Sequence, residues 1–467
     1  MSMLAKPQGS SPHARLGLIA LLVAATLLTA ACGNAGDKGS SATTTNGSST
    51  SAGSGDTRKF VSRSGVPGVT DREIHFTVLG TGDASPIGGC ALKCHAAGVQ
   101  AYFDYRNDQG GLYGRKLTMS VVDDELTNAQ VRALEIAQSG NSFGVIAVPL
   151  IGSGFPSLTA AGIPIYTTLG LSDFAAGVDS TFAIGGVPCL SCVQPVFAYE
   201  PTIVGAKRVG VIGLNASQAA KDCVAGYDAS IKAYGTDLGV KLVYKNDSLP
   251  FGLPNGLAPE VTAMHDAGVD FVATCLDPSG TITLEQELQK QGMGSVPVVR
   301  SGGAGDPTLL KNYASLMEGD LIRSTGGTFQ NESNNAMMAA FLNYLAKTGD
   351  SKTDLDNALE GWIDADIAYQ GLVAAGPEFD QASVIKATNA IQNYTAGGLI
   401  APIDWGRQHD RPTNEDPVTH GSDPNCMSWV RVVKGKYQLV GKPDAPFFCW
   451  DPRKFDKWVA PTQTAFH

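Results

Sequence analysis

From residue 74 onward the chain alternates short β-branched runs with longer amphipathic stretches. This alternation constrains it more than any other feature, because successive strand, helix, strand units close around a parallel sheet. Residues 74–79 read as a strand, 80–89 as a glycine-rich loop and 91–108 as a helix. Gln109-Gly110-Gly111 ends that helix, since glycine tolerates the left-handed turn at a helix terminus. A strand over 116–123, a helix over 127–139, a buried strand over 143–148, a helix from residue 157 and a strand over 163–167 follow. After a break the pattern restarts with strand 207–214, helix 219–234, strand 241–245, helix 259–267 and strand 271–275, and 284–291 and 296–300 extend it. Helices are predicted over 334–346, 363–374 and 383–391, and residues 429–440 read as a β-hairpin turning at Lys434-Gly435-Lys436. About 400 residues in this pattern exceed one typical core, so two α/β lobes are expected.

The amino terminus fixes a compartment. Lys6 and Arg15 precede an uncharged apolar run over 16–31 that ends in Thr29-Ala30-Ala31, directly before Cys32. The run falls short of the roughly 20 residues that span a bilayer and has the layout of a signal peptide. It resembles a bacterial lipoprotein signal, with Thr29 where that pattern usually has leucine. The resemblance implies a leader over 1–31, cleavage before Cys32 and lipidation of its thiol; ordinary secretion with cleavage nearby is the alternative. Residues 32–66 are then a lipidated cysteine and a tether, dominated over 33–58 by Gly, Ser, Thr, Ala and Asn, with too little apolar surface to offset the entropy of ordering.

Losing Lys6 and Arg15 with the leader takes the formal charge from -10 to -12, which argues against nucleic acid as a partner and leaves no polybasic patch for lipid headgroups. Of nine cysteines, eight remain besides Cys32, an even number that suits disulfides in an oxidising compartment. Spacing suggests Cys90 with Cys94, Cys189 with Cys192 and Cys426 with Cys449, leaving Cys223 with Cys275. Eight thiols permit about 105 pairings, and the sequence does not choose among them. Zinc on the CxxxC and CxxC pairs is the rival reading, disfavoured because no histidine accompanies them at finger spacing.

Several strings resemble the type I periplasmic binding proteins, in particular the branched-chain amino-acid receptors of ABC transporters. Gly68-Val69-Thr70 with Glu73-Ile74 is similar to that family's entry into its first strand. Residues 101–105 (AYFDY) and 107–116 (NDQGGLYGRK) resemble its first helix and turn, and Asp123-Asp124 follows. Residues 149–153 (PLIGS) resemble the ligand-cradling turn after its third strand, and 161–165 (AGIPI) the strand beyond. The likeness extends over residues 68–440. It implies two Rossmann-like lobes with parallel sheets, joined by a three-segment hinge, with a solute held in the cleft. On that pattern residues 67–190 plus 326–402 form lobe 1, and 191–325 plus 403–467 form lobe 2. Loops and helix amino termini converge at the carboxyl ends of such strands, which is where open α/β sheets bind ligands.

The resemblance also implies ligand contacts. Thr81 lies in the loop after the first strand, Gly152 and Ser153 in the turn after the third, and Leu169 and Ser172 after the fourth. Ser153 is equally suited to capping the helix that follows. In the second lobe Asn215, Gln218, Asp277 and Ser301 occupy the corresponding loops. Here the chain departs from the amino-acid receptors. Residues 215–219 read NASQA, with Gln218 at the position where those receptors have an aromatic residue, and Ala304 falls about where they place the acid for the α-amino group. A buried ammonium without a counter-charge is costly. Asp277 or Asp306 is a candidate substitute, and either reads equally well as a solvated loop acid. These departures weigh against a zwitterionic amino acid and leave a neutral amide, a carboxylate or a small aromatic acid open. Tyr102, Phe103 and Tyr105 read as helix core and surface residues, and Trp405 as a hinge-packing residue.

The one GxSxG string, GNSFG over residues 140–144, leads from a predicted helix into a strand and so is not the strand-to-helix elbow of a nucleophile; no HExxH or Walker segment occurs, and seven histidines are scattered. The expectation is therefore a monomeric receptor without catalysis, cofactor or metal, lipid-anchored to the outer face of the cytoplasmic membrane and serving an ABC permease. A surface receptor that signals ligand binding to a partner is the nearest alternative, and an exported hydrolase the next.

Overall fold

Two sheets of the same winding account for the strand pattern. The computed structural model describes residues 61–82, 90–149, 152–168, 172–215, 218–324, 326–327, 329–349, 354–413, 416, 418–422, 425–451 and 456–467. The predicted leader, Cys32, most of the tether and Leu169 lie outside them.

In the first lobe the elements are β1 (Glu73–Gly80), α1 (Leu92–Asp108), β2 (Lys116–Asp123), α2 (Ala129–Ser139), β3 (Val145–Val148), α3 (Phe155–Ala160), β4 (Ile165–Thr167), α4 (Ser172–Ala175) and β5 (Thr181–Ala183). All strand pairs are parallel, in the order β2-β1-β3-β4-β5. The second lobe holds α5 (Pro195–Ile203), β6 (Arg208–Leu214), α6 (Gln218–Leu238), β7 (Lys241–Leu249), α7 (Ala258–Asp266), β8 (Phe271–Cys275), α8 (Pro278–Lys290), β9 (Val298–Ser301), α9 (Pro307–Tyr313) and β10 (Leu321–Ser324). Its parallel part runs β7-β6-β8-β9-β10, the same winding. β3 and β8 are buried along their whole length, as strands covered by helices on both faces must be.

The chain then returns to the first lobe as α10 (Ala336–Lys347), α11 (Leu355–Ala375) and α12 (Gln381–Asn389). It ends in the second sheet with β11 (Cys426–Val433), which pairs antiparallel with β10, β12 (Lys436–Leu439) and β13 (Phe447–Cys449), which pair antiparallel with β11, and β14 (Thr462–Thr464), which pairs antiparallel with β13. The chain thus passes between the sheets three times. The first and third passages lie backbone against backbone: a Cβ on Gly186, whose φ is +62°, would fall 2.6 Å from the Gly421 nitrogen. A fourth link comes from the chain end, where the Thr395 hydroxyl, beside the first-lobe core, donates to the His467 carbonyl at 2.9 Å.

Sequence and structure part at α11. The predicted helix over 363–374 begins at Leu355, because Asp354 caps it by accepting from the Asp356 N–H at 3.1 Å. α11 crosses α1 at van der Waals contact of the two backbones. A Cβ on Gly98 would lie 1.7 Å from the Ala358 carbonyl oxygen, and one on Gly361 2.0 Å from that of His95. Trp362 is fully buried against Tyr102 and Tyr105, and Asp366 accepts from the hydroxyls of Tyr102 at 2.5 Å and Tyr394 at 2.7 Å. Trp405 is buried between Phe182 and Tyr394 in the same core. Elements in residues 168–206, where no strand or helix was predicted, are α4, β5 and α5. Four disulfides are closed: Cys90–Cys94, Cys189–Cys192, Cys223–Cys275 and Cys426–Cys449. Among the described residues no helix is long and apolar enough to cross a membrane, and no His, Cys, Asp and Glu cluster could hold a metal ion.

Candidate functional site

Shared winding places the fourth and fifth strands of the two sheets in corresponding positions, and a cavity of about 440 Å³ takes its walls from both. Thr168, directly after β4, and Gly185, after β5, come from the first lobe. Ser301, which ends β9, Gly302 beyond it, and Arg323 of β10 come from the second; Ser301 and Arg323 are register partners. Asp356 and Glu360, in the first turns of α11, and Gln194 and Thr419, from the first and third passages between the sheets, add to the polar lining. Pro188, Leu190, Val196, Phe197 and Met427 form an apolar wall, much of it carried by the first passage between the lobes. The Cys189–Cys192 disulfide and a hydrogen bond of 3.0 Å donated by the Gln194 side-chain amide to the Cys189 carbonyl brace that passage.

The cation in the cavity is already matched. Arg323 donates through Nε and Nη2 to the two oxygens of Glu200, at 2.5 and 2.8 Å, and also through Nη2 to the Tyr227 hydroxyl. Fully buried Glu200 further accepts from Tyr227 at 2.6 Å and from the Trp429 indole at 3.1 Å. Burial and then Glu200 raise the Tyr227 hydroxyl well above its usual pKa, tempered by Arg323, so it stays a donor. The remaining face of the guanidinium points to Ser301, whose hydroxyl accepts from Nη1 at 3.0 Å.

The acids on the opposite wall have no such match. Glu360 accepts from the Thr168 hydroxyl at 3.1 Å, and the charged groups that act on it are all carboxylates: Asp364, Asp356 and Asp354. Burial, then Asp364 and Asp356, push its carboxyl up to about 8. Asp356 accepts from the Gly305 N–H at 3.1 Å across the two lobes; burial and Asp354 push it up to about 7 against that backbone support. One turn deeper, Asp364 sits 3.2 Å from His95, both fully buried. Burial pushes the acid well up and the imidazole down to about 3, so the pair stays neutral.

Of the sequence-predicted contacts, Ser301 lines this cavity. Thr81 is buried and donates to Asp124 at 3.1 Å. Gly152 and Ser153 form a 3-10 turn, one on which α3 follows directly. Ser172 begins α4. Asn215 and Gln218 are exposed, bonded to the Ser248 carbonyl and to Asp222 respectively. Asp277 caps α8 through the Gly280 N–H, and Asp306 caps α9 through those of Thr308 and Leu309. None of these lines the cavity. The sequence reading missed Glu200, Arg323, Asp356 and Glu360. Its available signal was three acids at 356, 360 and 364, spaced so as to share one face of the helix.

Two similarly wound lobes joined by three passages, with a cavity between them, define a solute-binding receptor fold. The chain belongs to the periplasmic binding protein family, whose model matches residues 80–436. Solved structures share the fold at low identity. The fatty acid ABC transporter substrate-binding protein of Thermomonospora curvata is 18% identical, with TM-score 0.61 over 86% of this chain and 98% of its own. The R. palustris ABC transporter solute-binding protein in complex with benzoate is 16% identical, TM-score 0.60, covering 81% and 98%. The branched-chain amino acid transporter substrate-binding protein of Streptococcus pneumoniae, in complex with isoleucine, is 15% identical, TM-score 0.60, covering 79% and 99%. No curated protein matches the chain in sequence.

Proposed function

We propose that this protein captures a small polar solute in the interlobe cavity and delivers it to an ABC permease, without catalysis. In this reading it is held at the outer face of the cytoplasmic membrane by lipid on Cys32. The observation that carries the proposal is the cavity itself, whose walls come from both lobes at the carboxyl ends of corresponding strands. Its mixed lining, an apolar wall facing a few fixed polar groups, is that of a small-molecule site. Fatty acid, benzoate and isoleucine, named for structures of the same fold, mark the range of solutes such a cavity takes.

The test is a thermal-shift screen of the purified protein against amino acids, amides, amines, carboxylic acids and sugars, with recovery of the ligand afterwards. A ligand bound only by the folded state at 100 times its dissociation constant stabilises by about 2.7 kcal/mol. A shift with unchanged ligand recovered supports the receptor. Chemical conversion of the ligand, or no shift with any solute after unfolding and refolding to strip a carried-over one, refutes it.

A further inference from the structure

We infer that the cavity selects a solute carrying a protonated amine on an apolar body, with Glu360 as the specificity-determining residue and Asp356 in support. The inference rests on the receptor reading above and narrows its solute class. Four observations converge on it. First, the only described cation lining the cavity, Arg323, is matched by a two-pronged bond to Glu200, so it adds no uncompensated positive charge for a carboxylate. Second, Glu360 lines the cavity with Thr168 as its hydrogen-bond donor, and the charged groups acting on it are carboxylates alone. Third, Asp356 lines the same cavity one turn away, held by a backbone N–H of the other lobe. Fourth, the cavity wall near the passage is apolar, with Leu190, Val196, Phe197 and Met427 available to a hydrocarbon group.

Charge complementarity follows. With both acids ionised the lining carries an excess of two negative charges, and in a site that excludes water such an excess is relieved by a bound cation. An ammonium offers three donors, and Glu360 and Asp356 each keep acceptor capacity beyond their bonds from Thr168 and the Gly305 N–H. Thr168 fixes one Glu360 oxygen and so leaves the other to define where the ammonium sits. The sequence argument against an ammonium, that Ala304 stands about where the acid is expected, is met from a different element: the counter-charge is on α11.

The experiment compares matched pairs by thermal shift and calorimetry on the purified protein: isoamylamine against isocaproate, and phenethylamine against phenylacetate. The expected result is stabilisation by the amines, with each matched acid at least about tenfold weaker, a difference of about 1.4 kcal/mol. Glu360→Gln is expected to weaken amine binding at least about tenfold, and Asp356→Asn to weaken it less; the second variant keeps the test open if the first does not fold. Carboxylates that bind as well as the amines, or amine binding unchanged in both variants, overturn the inference and leave the receptor standing. An absence of binding by every solute in the wider screen overturns both.

Discussion

Glu200→Gln separates the two roles of Arg323, structural ion pair and cavity lining. Glu200 is fully buried and accepts four hydrogen bonds, two from Arg323, one from Tyr227 and one from Trp429. A glutamine keeps the shape, removes the charge and points an amide donor at groups that are themselves donors. Breaking a buried ion pair from one side costs about 3–5 kcal/mol, because the remaining charge is left uncompensated. At about 2.1 cal/mol/K per residue over about 400 residues, the entropy of unfolding converts this to a fall of about 4–6 °C in melting temperature. The freed guanidinium also gives the cavity the cation it lacked, so phenylacetate or benzoate is expected to bind the variant more tightly than the parent protein. At 100 times its dissociation constant the acid restores about 2.7 kcal/mol, roughly 3 °C. Calorimetric melting of parent and variant, with and without the acid, measures both effects. A fall below about 1 °C, or a variant indifferent to carboxylates, refutes the assignment of Glu200 as the charge that silences Arg323.

Three further outcomes are expected. Gly361→Ala places a methyl against the His95 carbonyl and costs about 1–3 kcal/mol of overpacking, partly offset by about 1 kcal/mol of helix propensity; urea unfolding together with Gly98→Ala is expected to show less than additive losses, since one displacement of α11 relieves both. The solute-free protein loses stability as pH rises from about 5 to 8: Glu360 and Asp356, raised to about 8 and about 7, hold protons when folded that the unfolded chain has released. Over the same window amine affinity rises, because the ligand replaces those protons. Burial holds the Asp364 carboxyl well up and the His95 imidazole down, Asp354, Asp306 and Tyr437 are the other titratable neighbours, and a flat profile refutes the assignment. Finally, Cys32→Ala is expected to move the protein from the membrane fraction to the soluble one, and its retention there refutes the lipid anchor.

Much of the architecture was legible because parallel sheets bury their strands on both faces, which leaves apolar runs such as VIAV of β3 and FVATC of β8 between amphipathic helices. The site was less so. Turns after the first and third strands drew attention to Thr81, Ser153, Asn215 and Asp277, whereas the cavity opens at the fourth and fifth strands, whose short runs around Arg323 carry no local signature. The helix predicted over 363–374 leaves out Asp356, Glu360 and Gly361. In three dimensions those acids meet the cleft, and the glycine lies where α1 passes at backbone contact. A helix that looks broken by its polar residues can be one whose polar face has a destination.

The chain end has a practical corollary. β14 is bonded into the second sheet, yet three residues later His467 accepts from Thr395 on the first lobe's side. Any swing that parts the lobes at that edge must pull out this anchor or pivot around it, so the last residues limit travel much as a check strap limits a door. A label meant to follow the motion of the lobes therefore belongs on a helix facing away from that edge, where it leaves the Thr395–His467 link unloaded.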